Sequence, residues 1–278
     1  MDDQWTLAHL LVAPELDLRG VVTTHAPGLD APAAETTARV AREVSERIPH
    51  CCGAMPVFAG SSVPLADERT PRTNAGVRFL LEESRRFDAE RRLAVLVTGA
   101  ATDVASALLL DPGLAGRIEI VAMGFDAWPR GGDSWNVKND PAAWRVLLAS
   151  RAPLVVGDAT VTRRELALTR ERAREMFASH GATGEYLVGL LERWLDRDPA
   201  FTRQVTGQPD TWVIWDEVTT AYLLGMTRAD VRPRPRLRAD LSFEHQGRSS
   251  RKLLWVTSVD APRLWRHFTT HLLSRRKA

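Results

Sequence analysis

The chain has 278 residues, 44% apolar and 26% charged, with 37 basic and 35 acidic side chains and a formal net charge of +2. This composition belongs to a folded domain with a substantial core. It excludes a disordered chain, a collagen-like repeat and a disulfide-stapled miniprotein, and the charge balance gives no whole-molecule attraction to nucleic acid. No apolar run reaches the ~18 residues of a membrane span. The amino-terminal segment lacks the basic start and cleavage site of a signal peptide. Cys51 and Cys52 are the only cysteines and are neighbours. They are poorly placed to bridge each other, so a reducing cytoplasm is the expected compartment.

In chain order, Trp5, Leu7, Ala8, Leu11 and Val12 recur at helical spacing behind Asp2 and Asp3. Acidic residues suit the positive end of a helix dipole. Residues 16–24 read as a strand with β-branched residues at its end, and 31–47 as a helix. Residues 56–60 form a short strand and 74–86 a helix. Leu93 to Val97 is a buried strand ending in Thr98-Gly99. The helix from Ala100 to Leu110 stops at Asp111-Pro112-Gly113. Ile118 to Met123 and Pro153 to Gly157 are strands. Between them lie a glycine-rich loop from Trp128 to Trp135 and a helix from about Pro141. Helical periodicity then covers 163–179 and 183–196, followed by a polar loop and a helix over 214–224. The arginine- and proline-rich stretch from Arg232 reads as a solvated connector. A strand from Leu253 to Val259 and a helix over 262–273 close the chain. The alternation predicts an α/β fold with a mainly parallel open sheet, helices on both faces, and a single domain over 1–278.

Ligands of open parallel sheets bind beyond the carboxyl ends of the strands. The polar candidates there are Thr23-Thr24-His25, Thr98-Gly99, Met123-Gly124-Phe125, Asp158, the loop 133–136 and Trp215-Asp216, together with the opening Asp2-Asp3. No phosphate-binding loop, dinucleotide fingerprint or serine nucleophile elbow is present. Taken singly, these residues have ordinary structural readings. Asp2, Asp3 and Asp216 read as helix-start acids and Asn136 as a turn cap. Trp215 and Met123 read as core, and His25 as a packing histidine.

Taken together, they resemble a family. Leu96-Val97-Thr98-Gly99-Ala100-Ala101-Thr102-Asp103 is similar to the Thr-Gly-x-x-Thr-Asn segment of the inosine/uridine-preferring nucleoside hydrolases. Val121-Ala122-Met123-Gly124 resembles their Met-Gly-Gly. Trp135-Asn136 with Asp140-Pro141-Ala142-Ala143 resembles their Phe-Asn and Asp-Pro-x-Ala-Ala block. Trp215-Asp216-Glu217-Val218-Thr219-Thr220-Ala221-Tyr222 resembles their carboxyl-terminal metal-ligand helix. Thr23-Thr24 and Pro56-Val57-Phe58-Ala59-Gly60 fall in the family's order, and the resemblance runs from Met1 to about Leu273.

The resemblance implies a calcium-dependent hydrolase of the N-glycosidic bond of ribonucleosides. Asp3, Thr98 through its carbonyl, and Asp216 would hold Ca2+. Asp2, Met123 and Asn136 would contact the ribose, and Trp215 would stack on the base, leaning the preference to purines. The expected partner is a small-molecule nucleoside, without nucleic acid or membrane, in a homodimer or homotetramer. The family opens with a strand and an aspartate-rich motif of which Met1-Asp2-Asp3 matches only the tail. The expectation is therefore that the first strand and the catalytic base Asp lie upstream of Met1. Ser134 stands where the family has Glu, and Gly28 where it has Asn. These departures motivate an alternative: a catalytically dead nucleoside- or sugar-binding pseudoenzyme.

Overall fold

The computed structural model describes residues 1–48, 55–132, 135–245 and 251–274. Its first half comprises α1 (Asp2–Val12), β1 (Val21–Thr23), α2 (Ala33–Arg47), β2 (Val57–Ala59), α3 (Ala75–Ser84), β3 (Leu93–Val97), α4 (Thr102–Leu110), β4 (Ile118–Met123), α5 (Trp135–Asn139), α6 (Pro141–Ala149) and β5 (Leu154–Gly157). Its second half comprises α7 (Ala159–Glu165), β6 (Ala167–Thr169), α8 (Arg170–Phe177), α9 (Gly181–Arg197), α10 (Pro199–Thr206), β7 (Thr211–Val213), α11 (Glu217–Leu223), β8 (Thr227–Pro233), β9 (Arg236–Leu237), β10 (Phe243–Glu244), β11 (Lys252–Val259) and α12 (Ala261–Ser274). Cys51 and Cys52, the loop residues Asp133 and Ser134, and the basic run from Arg275 lie outside the described residues.

The central sheet has the order β3-β4-β5-β11-β8. The first four strands are parallel, and β8 is an antiparallel edge. β1 and β2 pair in parallel as a separate two-stranded sheet, with Val21 opposite Val57. Side chains alternate across the central sheet, as the two-residue period of a strand requires. Val121, Met123, Val155 and Val256 enter one core with Trp5, Val44, Leu191, Val218 and Phe268. Ile120, Ala122, Leu154, Val156 and Trp255 enter the other with Val77, Val104, Trp144 and Leu147. Helices therefore cover both faces, and the fold is α/β with a mostly parallel sheet. This is why β4 and β5 read as nearly unbroken apolar runs. Each large side chain buried this way contributes about 1.5–3 kcal/mol relative to exposure.

Several elements differ from expectation. The strand over 16–24 shortens to β1. The helical stretch 163–179 is interrupted by β6, which pairs antiparallel with β7. The polar stretch before residue 211 contains α10, where Asp198 caps Phe201 and Pro199 occupies the first turn. The arginine-rich connector is in part the end of β8, an edge strand whose charges face solvent. Arg234 corrects the solvated-charge reading, being only 6% exposed. Its guanidinium donates to the carbonyls of Ser150 (2.9 Å), Leu147 (3.2 Å) and Ala152, in and just after the last turn of α6, and of Lys252 (2.8 Å), which opens β11. Burial pulls its pKa down to about 10, and Arg251 nearby acts in the same sense. No helix among the described residues is long and apolar enough to cross a membrane.

Candidate functional site

Three aspartates from opposite ends of the sequence meet. Asp2 and Asp3 open α1, and Asp216 immediately precedes α11. One carboxylate oxygen from each lies within 4.8 Å of the others. The two helices pack together, and α11 also packs on β4 and comes close to the last residue of β5. Gly157 permits that approach, because a Cβ there would lie 2.5 Å from Val218 on α11. Asp216 is buried at the helix start, yet its side chain makes no capping hydrogen bond. Asp140, Asp158 and Asp198, at similar positions, do cap their helices. The helix-cap reading therefore does not account for Asp216.

The cluster is short of positive charge. Burial, then repulsion from Asp3 and Asp2, pushes Asp216 well above the ordinary carboxylate range. Burial, against the attraction of the Met1 ammonium, pushes Asp2 up to about 6. That ammonium lies 3.6 Å from Asp2 Oδ1. Burial pulls its own pKa down, but Asp2, Asp3 and Asp216 more than offset this and raise it. Like charges held this close, with Asp216 buried, Asp2 half-buried and Asp3 exposed, disfavour joint ionisation unless a cation joins them. An all-oxygen set of three carboxylates fits a hard divalent ion.

Asn136 organises a second group at the same end of the sheet. Its Nδ2 donates to the carbonyl of Thr98, just past β3, at 2.8 Å and to that of Met123, the last residue of β4, at 3.1 Å. Trp144 Nε1 donates to the Asn136 carbonyl at 3.2 Å. Thr98, Met123 and Asn136 are thereby locked to one another. The amide donors are used internally, and the Thr98 carbonyl keeps a second lone pair. Phe125, two residues past Met123, is fully buried at φ 67°, a strained conformation for a non-glycine residue.

Trp215 is half-buried beside Asp216. The Arg163 guanidinium lies 5.4 Å from its ring centroid, and Trp212 packs edge-on at 6.5 Å. Nothing in the sequence signals the Arg163 contact, since Arg163 lies in α7 and Trp215 in the turn before α11. His25 is buried, its Nε2 3.1 Å from Thr102 Oγ1, and Thr102 donates to Asp140 at 2.6 Å. Burial lowers its pKa. His25 thus belongs to a packing network. Asp158 accepts from Val161 N and from Trp255 Nε1, a structural role. Gly28 adopts φ 77°, and a Cβ there would meet nothing within 4 Å among the described residues.

The sequence model of the inosine-uridine preferring nucleoside hydrolase family matches residues 1–266. No curated protein matches the chain by sequence. Among solved structures, the fold is similar to a purine-preferring ribonucleoside hydrolase from Gardnerella vaginalis. The TM-score is 0.78 at 18% identity, covering 99% of this chain and 96% of that one. It is similar to a plant nucleoside hydrolase, PpNRh1, with a TM-score of 0.76 at 16% identity and coverage of 98% and 96%. It is also similar to an inosine-uridine preferring nucleoside hydrolase from Bacillus anthracis, with a TM-score of 0.62 at 16% identity and coverage of 98% and 95%. At these identities the structural likeness speaks for the fold, whereas the family match spans nearly the whole sequence. The chain therefore belongs to the inosine-uridine preferring nucleoside hydrolase family and is a hydrolase acting on N-glycosyl bonds.

Proposed function

We propose that this hydrolase cleaves ribonucleosides in a Ca2+-dependent reaction, with a preference for purine bases, releasing free base and ribose. The observation that carries the proposal is the meeting of Asp2, Asp3 and Asp216 at the carboxyl end of the sheet in a chain of this family. Asp3, Asp216 and the Thr98 carbonyl are the metal donors, and Asp2 lies beside them to take a ribose hydroxyl. Bound Ca2+ would supply an acidified water and a grip on the ribose hydroxyls.

The remaining chemistry belongs to the chain. Asn136 spends both amide hydrogens on Thr98 and Met123, which leaves Oδ1 to accept from a ribose hydroxyl. Met123 supplies an apolar wall beneath the sugar. Carboxylates held around the ribose favour the positive charge that builds up at the glycosidic centre, as in other glycoside hydrolysis. Trp215 offers an indole face to the leaving base. A purine has the larger π-surface and gains more from stacking.

Base release from inosine, guanosine and uridine, measured with Ca2+ and with a chelator, tests the proposal. The expected outcome is Ca2+-dependent release, faster from the purine nucleosides and about 100-fold or more slower in Asp216→Asn. Chelator-resistant turnover removes the metal assignment, and faster uridine cleavage removes the purine preference. Calorimetric binding of inosine without base release replaces the enzyme by a binding protein.

A further inference from the structure

A second cluster of metal-ligating side chains lies on a different part of the surface. Glu15 follows α1, while His267 and His271 stand one turn apart on α12. One ligand atom from each lies within 4.8 Å of the others. The spacing of four residues puts both imidazoles on one helix face, with ring centroids 4.4 Å apart. Glu15 Oε2 lies 3.1 Å from His267 Nε2. We propose that Glu15, His267 and His271 form a zinc site, distinct from the three-aspartate cluster.

The surroundings of His267 match those of a metal ligand. Its Nδ1 lies 2.9 Å from Nε2 of His9, and His9 Nδ1 lies 3.0 Å from Glu217 Oε2. His9 is fully buried and stacked flat on Phe268 at 4.2 Å. A metal-bound histidine usually gives its other nitrogen to such an outer partner, which fixes the tautomer and the ring plane. Hydrogen-bond accounting points the same way. Three links join the two carboxylates through two imidazoles, and neutral imidazoles supply only two N–H groups. The outer link, between Glu15 and His267, is completed either by a third proton on an imidazole or by a cation, and it is the link that opens onto solvent.

The donor set decides the ion. Two imidazoles and one carboxylate suit Zn2+, whereas the all-oxygen aspartate cluster suits Ca2+. Glu15, His267 and His271 line a cavity of about 510 Å³ together with Arg263 and Arg266. The remaining ligand position thus has room for water or a small anion, and the arginines favour the anion.

The test is calorimetric titration of Zn2+ into the full chain at neutral pH, with Ca2+ in excess. A Cys51→Ser, Cys52→Ser background excludes thiolate binding. One equivalent of Zn2+ is expected, with affinity weakened at least ~10-fold by His271→Ala and by Glu15→Gln and unchanged by Asp216→Asn. Both weakening variants change half-exposed or exposed groups, and a thermal melt without metal verifies that they fold. Co2+ bound to the same background should give the ligand-field spectrum of a nitrogen and oxygen site, lost in His271→Ala. Absence of stoichiometric binding overturns the proposal. So does an affinity that responds to Asp216→Asn but not to His271→Ala.

Discussion

Nδ1 of His9 lies 3.0 Å from Oε2 of Glu217, and both side chains are fully buried. The contact joins α1 to α11, the two helices whose amino-terminal ends bring Asp2, Asp3 and Asp216 together. The other oxygen of Glu217, Oε1, has no hydrogen-bond partner among the described residues. A buried carboxylate with one satisfied oxygen depends heavily on the partner it has. The pair therefore adds to the apolar packing that holds the two helices, and with them the acidic cluster, together.

His9→Leu strands the Glu217 carboxylate and should cost about 3 kcal/mol of stability. Glu217→Gln keeps one hydrogen bond to His9 and should cost about 1 kcal/mol. The double variant His9→Leu/Glu217→Met should lose less than the sum, because neither partner is left alone. Urea unfolding of the three variants measures these differences. Additive losses would show that the contact does not couple the two helices.

Arg234 acts as a buried cap. The four carbonyls it serves come from α6, the turn after it and β11, so its removal leaves several acceptors without donors. Arg234→Ala should cost at least about 2 kcal/mol. Arg234→Lys should lie between that and the natural protein, since one ammonium cannot match a planar fork of donors. Denaturant midpoints test the order, and equal stability of all three would assign the arginine to the solvated surface.

Parts of this architecture were legible residue by residue. The apolar run Leu93–Val97 and the nearly unbroken run Ile118–Met123 announced parallel strands, and their ends named Thr98 and Met123, although β3, at the end of the strand order, is mostly half-buried. β8 was hidden because an edge strand carries charges outward, and Thr227–Pro233 shows almost no apolar alternation. α10 had a readable start in Asp198-Pro199, but its polar surface concealed it. Asp216 looked like any helix-start aspartate. The family resemblance singled it out, and the fold adds that Asp140, Asp158 and Asp198 each give an oxygen to a helix cap whereas Asp216 does not. The His9–Glu217 pair spans 208 residues and carries no local signature.

Asn136 fixes the distance between the ends of β3 and β4. Asn136→Ala removes both donors, and KM for a nucleoside should rise about 10- to 100-fold while the melting temperature changes little. Asn136→Asp keeps the shape but places an acceptor-only group against the carbonyls of Thr98 and Met123. It should therefore be the worse of the two. Steady-state kinetics on inosine distinguishes them. An unchanged KM in Asn136→Ala would remove this residue from the ribose contacts.

The acidic cluster makes stability depend on pH and on Ca2+ together. Asp2 and Asp216 have folded pKa values above the ordinary 3.8, because burial and mutual repulsion disfavour their charged forms. Without a cation, the folded state binds protons at these groups more tightly than the unfolded chain. Their contribution to stability is full below pH 3.8; the part from Asp2 is lost as the pH rises through about 6, and the part from Asp216 as the pH rises through its own raised pKa. A divalent cation reverses the loss by pairing with the ionised carboxylates. The rise in melting temperature on adding Ca2+ should therefore be small at about pH 5 and large at about pH 7.5. At a concentration about 100-fold above Kd, the ion should add about 2.7 kcal/mol. Asp216→Asn should flatten the pH slope and abolish the Ca2+ effect, because it removes both the repulsion and a donor. Melts across that range, with Ca2+ and with a chelator, decide the matter. A melting temperature indifferent to Ca2+ at every pH would mean that the three aspartates hold no cation.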